Sequence, residues 1–143
     1  KTVTINGGAG NDLFDVRASK TDVDASKYIV VGDASGGDKI KFNALDQSSG
    51  FERVEDSVVK DATTLKEAIN LAIASNQSAS PILNKVFYFT YAGDTYVVHN
   101  ATSTAVGTPD TLTAADTVVK LAGVRSDDLI LTADYTENTL NIN

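Results

Sequence analysis

Residues 7 to 15 read Gly-Gly-Ala-Gly-Asn-Asp-Leu-Phe-Asp, and they match every specified position of the nine-residue pattern G-G-x-G-x-D-x-U-x. Gly7, Gly8 and Gly10 carry no Cβ, so they can take positive φ and turn the chain tightly with peptide carbonyls aimed at a common centre. Asp12 adds a carboxylate to those carbonyls. That mixture suits Ca2+, a hard cation that takes six to eight oxygen ligands. Phe14 follows after one spacer, where a strand directs it away from Leu13 and into an apolar interior.

Two other readings of the stretch are weaker. After the short strand pattern Thr2 to Asn6, a glycine-rich segment also suits a plain hairpin turn, but five specified positions in the right order favour the metal loop. Gly8-Ala9-Gly10 resembles the start of a dinucleotide fingerprint. That motif needs a third glycine and a following helix, whereas Asn11 to Val16 reads as an extended segment. The sequence also has no G-x-x-x-x-G-K-[ST] stretch.

One nonapeptide cannot surround an ion, and in repeat architectures a stacked neighbour supplies the remaining ligands. Gly36-Gly37-Asp38-Lys39-Ile40 repeats the G-x-D-x-U core of Gly10-Asn11-Asp12-Leu13-Phe14, preceded by Gly32 and Asp33. Asp12 and Asp38 are 26 positions apart, one short of three nonapeptides. The nine-residue register is therefore lost between them, and residues 17 to 31 are expected to form an irregular excursion. Two arrangements stay open: Asp38 completes a site with the first loop, or that loop caps a roll whose earlier turns lie upstream of Lys1.

Composition narrows the partners. With 143 residues and 42% hydrophobic content, a single domain with its own core is expected. A net charge of −7 and an isoelectric point near 4.5 argue against nucleic acid, whose recognition needs a basic surface. The same charge suits a cation-binding protein, because repulsion among carboxylates opposes compaction until counter-charge arrives. The chain has no cysteine, so metal or plain core packing must hold it together. No run of about 18 apolar residues is present, so no transmembrane segment is expected. No charged-then-apolar leader is seen, and the opening within a strand pattern suggests a fragment.

Three zones follow along this single domain, 1–143. Residues 1–60 are rich in Gly and Asp, with β-prone runs at Thr2 to Asn6, Leu13 to Val16, Tyr28 to Val31 and Lys39 to Phe42, and with Phe51 to Val59 as a candidate further strand. Residues 61–80 hold a helix and linker. Thr64-Leu65-Lys66-Glu67 is a capping box, Leu65, Ala68, Ile69, Ala72 and Ile73 form one apolar stripe that should face a sheet, and the run Ser75 to Ser80 with Pro81 ends the helix, predicted over about 64–76. The stripe's alternative is a partner-binding face. In 81–143, Val86 to Tyr91 and Thr95 to Val98 flank Ala92-Gly93-Asp94 as a hairpin. Further β-prone runs occur at Thr117 to Leu121, Asp128 to Thr132 and Thr139 to Ile142, with Thr102 to Thr113 as a polar loop.

The order of parts resembles a family. The G-G-x-G-N-D-x-F loop, G-G-D-K-I-x-F at 36–42, F-x-Y-x-G-D-T-Y-V-V at 89–98 and D-T-V-V-K-L-A-G-V at 116–124 are together similar to C-terminal regions of bacterial RTX proteins exported by type I secretion. The last two segments look most like tails of secreted adhesins and S-layer proteins, and 36–42 resembles the C-terminal domain of serralysin-type proteases. The resemblance implies a mainly β fold, a calcium-binding β-roll or β-sandwich with one packed α-helix, and an uncleaved export signal near the C-terminus. It places the metal loop at Gly8, Gly10, Asn11 and Asp12, with backbone carbonyls from the first three. A second loop would comprise Gly36 and Asp38, joined by Asp33. The chain departs from the family in holding one complete nonapeptide rather than a long array, which leaves the number of ions open.

The expected role is a calcium-dependent folding and secretion domain of a larger secreted cell-surface protein, whose partner is the type I secretion machinery. Sites of extracellular affinity stand empty in the cytosol and fill outside, so a loose acidic chain threads a channel and folds on arrival. One alternative is an S-layer or adhesin module that self-associates at the cell surface through calcium. Another is the non-catalytic C-terminal domain of a serralysin-like protease. No enzyme is expected. The lone His99 sits where a surface or packing residue is usual, no H-E-x-x-H or G-x-S-x-G stretch or cysteine nucleophile exists, and Asp127-Asp128 reads as a solvated turn or part of a calcium site rather than a glycosidase pair. Asn76 and Asn100 match the glycosylation pattern.

Overall fold

The computed structural model describes residues 2–19, 21–22, 27–47, 51–76, 84–101 and 111–143. Ten strands and two helices follow in order: β1 Val3–Ile5, β2 Leu13–Asp15, β3 Ile29–Val31, β4 Lys39–Lys41, β5 Phe51–Arg53, α1 Asp56–Val59, α2 Leu65–Asn76, β6 Lys85–Tyr91, β7 Asp94–Asn100, β8 Thr117–Leu121, β9 Leu131–Asp134 and β10 Thr139–Ile142. The strands form a six-stranded sheet in the order β1-β3-β8-β7-β6-β5 and a four-stranded sheet in the order β2-β4-β10-β9. The fold is mainly β with one long packed helix, as the sequence pattern indicates.

Two apolar cores divide it into three layers. Between the sheets lie Phe14, Val31, Ile40, Phe42, Val86, Tyr88, Val97, Val119, Leu121 and Leu140, among others. On the far side of the six-stranded sheet, Phe87, Phe89, Tyr96, Val98 and Val118 meet Ala68, Ile69, Ala72 and Ile73 of α2 and Val59 of α1. The larger sheet is thus covered on both faces. That is why β6 is buried from Lys85 through Thr90 and reads as an unbroken β-prone run rather than an alternating one.

The α2 stripe faces the sheet, with Ala68, Ile69, Ala72 and Ile73 fully buried. Its start is held by Thr64 Oγ1, which accepts the Glu67 amide at 3.2 Å, while the Glu67 carboxylate reaches back to the amide of Thr63 at 2.8 Å. The helix runs to Asn76, two residues into the polar run expected to end it. Residues 77–83 and most of the expected loop at 102–113 lie outside the described residues.

Two expectations are corrected. Phe51 to Val59 is not one strand, because β5 stops at Arg53 and the chain turns into α1. Val54 and Val59 are both buried against the helical layer, so the chain must leave the sheet plane after three residues to reach it. The Arg53 guanidinium holds that corner between Ser126 Oγ at 3.1 Å and Glu55 at 3.2 Å. The irregular excursion ends earlier than residue 31, since Ile29–Val31 is β3.

The β6–β7 hairpin closes at the pair Tyr91↔Asp94 and leaves a two-residue loop, Ala92 at φ 52° and Gly93 at φ 87°. Two consecutive positive φ values are what the right-handed twist of the flanking strands demands. Gly93 takes that region without cost, but Ala92 brings its Cβ towards a carbonyl oxygen. Ala92→Asn is expected to raise stability by about 0.5–1 kcal/mol. The urea midpoint should move up at constant slope, and a midpoint that stays put or falls would contradict the turn assignment.

Candidate functional site

The glycine–aspartate segments are two successive coils stacked on each other. β1 runs parallel to β3 with Val3↔Ile29, Thr4↔Val30 and Ile5↔Val31 in register, and β2 runs parallel to β4 with Leu13↔Lys39, Phe14↔Ile40 and Asp15↔Lys41. Both ladders have the 26-residue offset that separates Asp12 from Asp38. Each coil places one strand in each sheet and crosses between them through its loop, so Gly7 to Asp12 lies over Asp33 to Asp38.

Carboxylates of the second loop hold the first. Asp33 accepts the amide of Gly7 on Oδ1 at 3.0 Å and that of Gly8 on Oδ2 at 2.8 Å. Donation from Gly8, then Gly7, keeps the Asp33 carboxyl below its ordinary value despite the partial desolvation that opposes it. Asp38 is 1% exposed. Its Oδ1 accepts the Asp12 amide at 2.9 Å, and its Oδ2 accepts the amide and hydroxyl of Ser35 at 2.8 and 3.3 Å. The C-terminal strand pins the second loop, because the Gly37 amide donates to Ile142 O at 2.7 Å and the Ile142 amide to Asp38 O at 2.9 Å.

Glycine matters here in two ways. Gly37 has φ +98°, and a Cβ there would strike the Asn11 side-chain amide from the coil above; only glycine lets the loops approach so closely. Gly7 is different. Its φ is not positive, but a Cβ would overlap the Asp12 carboxylate, which folds back into its own loop. Gly8 and Gly10 take φ +89° and +117°, while Gly36 lies 3.6 Å from the main chain of Asn143 where its Cβ would be.

For a cation the donor set is oxygen-rich but sparse in charge. Asp12 Oδ2 is buried and has no hydrogen-bond partner among the described residues, an arrangement that costs free energy unless something positive meets it. The glycine cradle around that carboxylate and the buried Asp38 beside it fit Ca2+, which accepts main-chain carbonyls as readily as carboxylates. Among the described residues no three His, Cys, Asp or Glu side chains cluster as a metal group, so main-chain oxygens would have to supply most of the shell. Asp33 and Asp38 are the least available of the seven candidates, since both oxygens of each already accept amides. Sequence reasoning named Gly8, Gly10, Asn11, Asp12, Asp33, Gly36 and Asp38, all of which lie in the two stacked loops. It missed Ser35, Ile142 and the spacer role of Gly37. A signal was present, because the 26-residue likeness extends from the loops into Val3-Thr4-Ile5 against Ile29-Val30-Val31.

Other candidates resolve into structure. His99 is buried at 2% exposure, its Nε2 donates to Ala44 O at 2.6 Å and its ring lies 5.3 Å from that of Phe42. Burial pushes its pKa down against the pull of the Ala44 carbonyl, which makes it a neutral packing residue. Asp127 and Asp128 fall in a single 3-10 turn, Ser126–Asp128, with Asp127 paired to Arg125 at 3.2 Å. Asn100 is fully buried in β7 and so is closed to glycosylation, and the side chain of Asn76 lies outside the described residues. No protein-family model matches the chain, and no curated protein matches it either.

The amide clamp carries a pH signature. A carboxyl whose folded pKa is depressed stabilises fully above its unfolded value, near 3.9, and loses that contribution as pH falls through the lower folded value. Asp33→Asn removes this titration and keeps one acceptor oxygen. Urea unfolding of the variant should therefore weaken less steeply than that of the unaltered chain below about pH 4; parallel pH profiles would show that Asp33 does not clamp the first loop.

Proposed function

We propose that the stacked loops bind Ca2+ and that the chain is a calcium-dependent folding domain of a secreted bacterial surface protein, of the kind exported by type I secretion. The observation that carries the reading is the buried, unbonded Oδ2 of Asp12, folded into a glycine cradle beside buried Asp38. Asp12 would be the principal ligand, with main-chain oxygens of Gly8, Gly10 and Asn11 from its own loop and of Gly36 from the second, while Asp38 holds the Asp12 amide in place. When bound, the ion supplies the positive charge that this oxygen lacks.

The chain's own residues do the positioning. Asp33 fixes the Gly7 and Gly8 amides, Asp38 fixes the Asp12 amide, and Gly37 admits Asn11, so the first loop of the folded chain is held in place on the second. A net charge of −7 opposes compaction without counter-ions. Calcium modules of the extracellular kind bind weakly enough to be filled outside a cell and empty within it, and binding that favours only the folded state then adds directly to stability. The absence of cysteine agrees with an export route lacking a disulfide-forming step. Among the described residues, no helix is long and apolar enough to cross a membrane.

Thermal unfolding of the calcium-free chain, titrated with CaCl2 against a MgCl2 control, tests this. At free Ca2+ of roughly 100 times Kd, stability should rise by about 2.7 kcal/mol. Asp12→Asn should remove most of that gain while leaving the circular dichroism of the calcium-free state unchanged. An unaltered chain whose midpoint ignores Ca2+, or an Asp12→Asn variant that keeps the full gain, overturns the reading.

A further inference from the structure

Away from the glycine loops, one buried row of the six-stranded sheet carries reactive side chains. Lys85 on β6, Asn100 on β7 and Asp116 at the approach to β8 are 9%, 0% and 0% exposed. Lys85 and Asn100 are register partners, and Asp116 lies one step beyond the pair His99↔Thr117, opposite Asn100. By strand alternation all three share the sheet face of Phe87, Val98 and Val118, which packs on α2. Asp116 is fixed there, its Oδ1 accepting the Ala101 amide at 2.9 Å and its Oδ2 the Thr113 amide and hydroxyl at 2.8 and 3.3 Å. On the β5 side of β6, Lys85 Nζ donates to Glu52 Oε2 at 3.3 Å. A lysine in a sheet interior is uncommon, because its ammonium is costly to hold away from water.

We propose that Lys85 and Asn100 join through an intramolecular amide bond, Nζ to side-chain Cγ, formed after folding with release of ammonia. Opposed residues of an antiparallel pair have Cβ atoms about 5 Å apart, so a lysine side chain that turns from β5 towards β7 brings Nζ onto the Asn100 carboxamide. Glu52 accepts one proton of the ammonium and leaves the amine nucleophilic. The Nζ lone pair attacks Cγ and the Cγ–Nδ2 bond breaks. Nδ2 departs as ammonium, carrying the proton from Glu52 and a second one from Nζ, so Glu52 ends as it began and neither an oxidant nor a metal ion takes part. Two conditions favour the bond in the folded chain. The register holds both partners together, which replaces a chance encounter by a local step, and the product is a neutral amide where a buried cation stood. A chain without cysteine thereby gains a covalent tie between β6 and β7.

Mass spectrometry of the folded, full-length chain tests this. The chain should weigh one ammonia less than its sequence. After denaturation and chymotryptic cleavage at the aromatic residues between 86 and 99, the pieces bearing Lys85 and Asn100 should remain joined. Lys85→Arg keeps a cation beside Glu52 but should restore the full sequence mass, and Glu52→Gln should slow closure by about 100-fold or more. A folded unaltered chain that keeps its full sequence mass overturns the proposal without reference to any variant. So does loss of ammonia with pieces that separate on cleavage, which would mark a ring closed at Asn100 alone, and so does loss of water with Lys85 tied to Glu52.

Discussion

Carboxylate acceptance of backbone amides across the stack is the interaction on which the remaining architecture depends. Asp33 and Asp38 reach from the second loop to the Gly7, Gly8 and Asp12 amides of the first. Loops this rich in glycine have little side-chain packing to fix their register, and the part-buried Asp12 amide would be expensive to leave unpaired. Three donors satisfied by two carboxylates on a 26-residue step set the offset of both parallel ladders. The sheets then inherit their spacing from the loops.

That register propagates through the molecule. Once β3 and β4 are placed, β8 and β10 pair with them, and β10 returns the favour by bonding the second loop through Ile142. In each sheet a strand from the first third of the sequence thus pairs with one from the last third, β3 with β8 and β4 with β10, and the glycine loops cannot be separated from the C-terminal strand that braces them. The helical layer closes the opposite face of the larger sheet. If an ion binds at Asp12 as proposed, its effect would reach a core built from strands near both ends of the described chain, which is what coupling of binding to folding requires.

Much of this was legible in the residues, and the misses have physical causes. β8 and β10 have the expected limits, and the α2 stripe faces the sheet, because these segments are long enough for burial to impress a period on the sequence. α1 was not visible, since four residues are about one turn and carry no period. The coil step was mistaken for a failed multiple of nine because the connecting excursion, not the loop motif, sets its length. At the site, spacing identified which residues share a loop. It could not tell that Asp33 turns both oxygens to amides while Asp12 leaves one without a partner, because the same carboxylate in a glycine bend serves either purpose, and only the stacked neighbour decides.

Cysteine pairing tests the stack most directly, in a chain with no thiol of its own. Leu13 and Lys39 are exposed register partners on β2 and β4, and neighbouring strands about 4.8 Å apart lie within the span a disulfide bridges. Leu13→Cys with Lys39→Cys should oxidise readily to an intramolecular bond under mild conditions, whereas Leu13→Cys with Lys41→Cys should remain largely reduced. Closure of the second pair in preference to the first would contradict the 26-residue register and the site built on it.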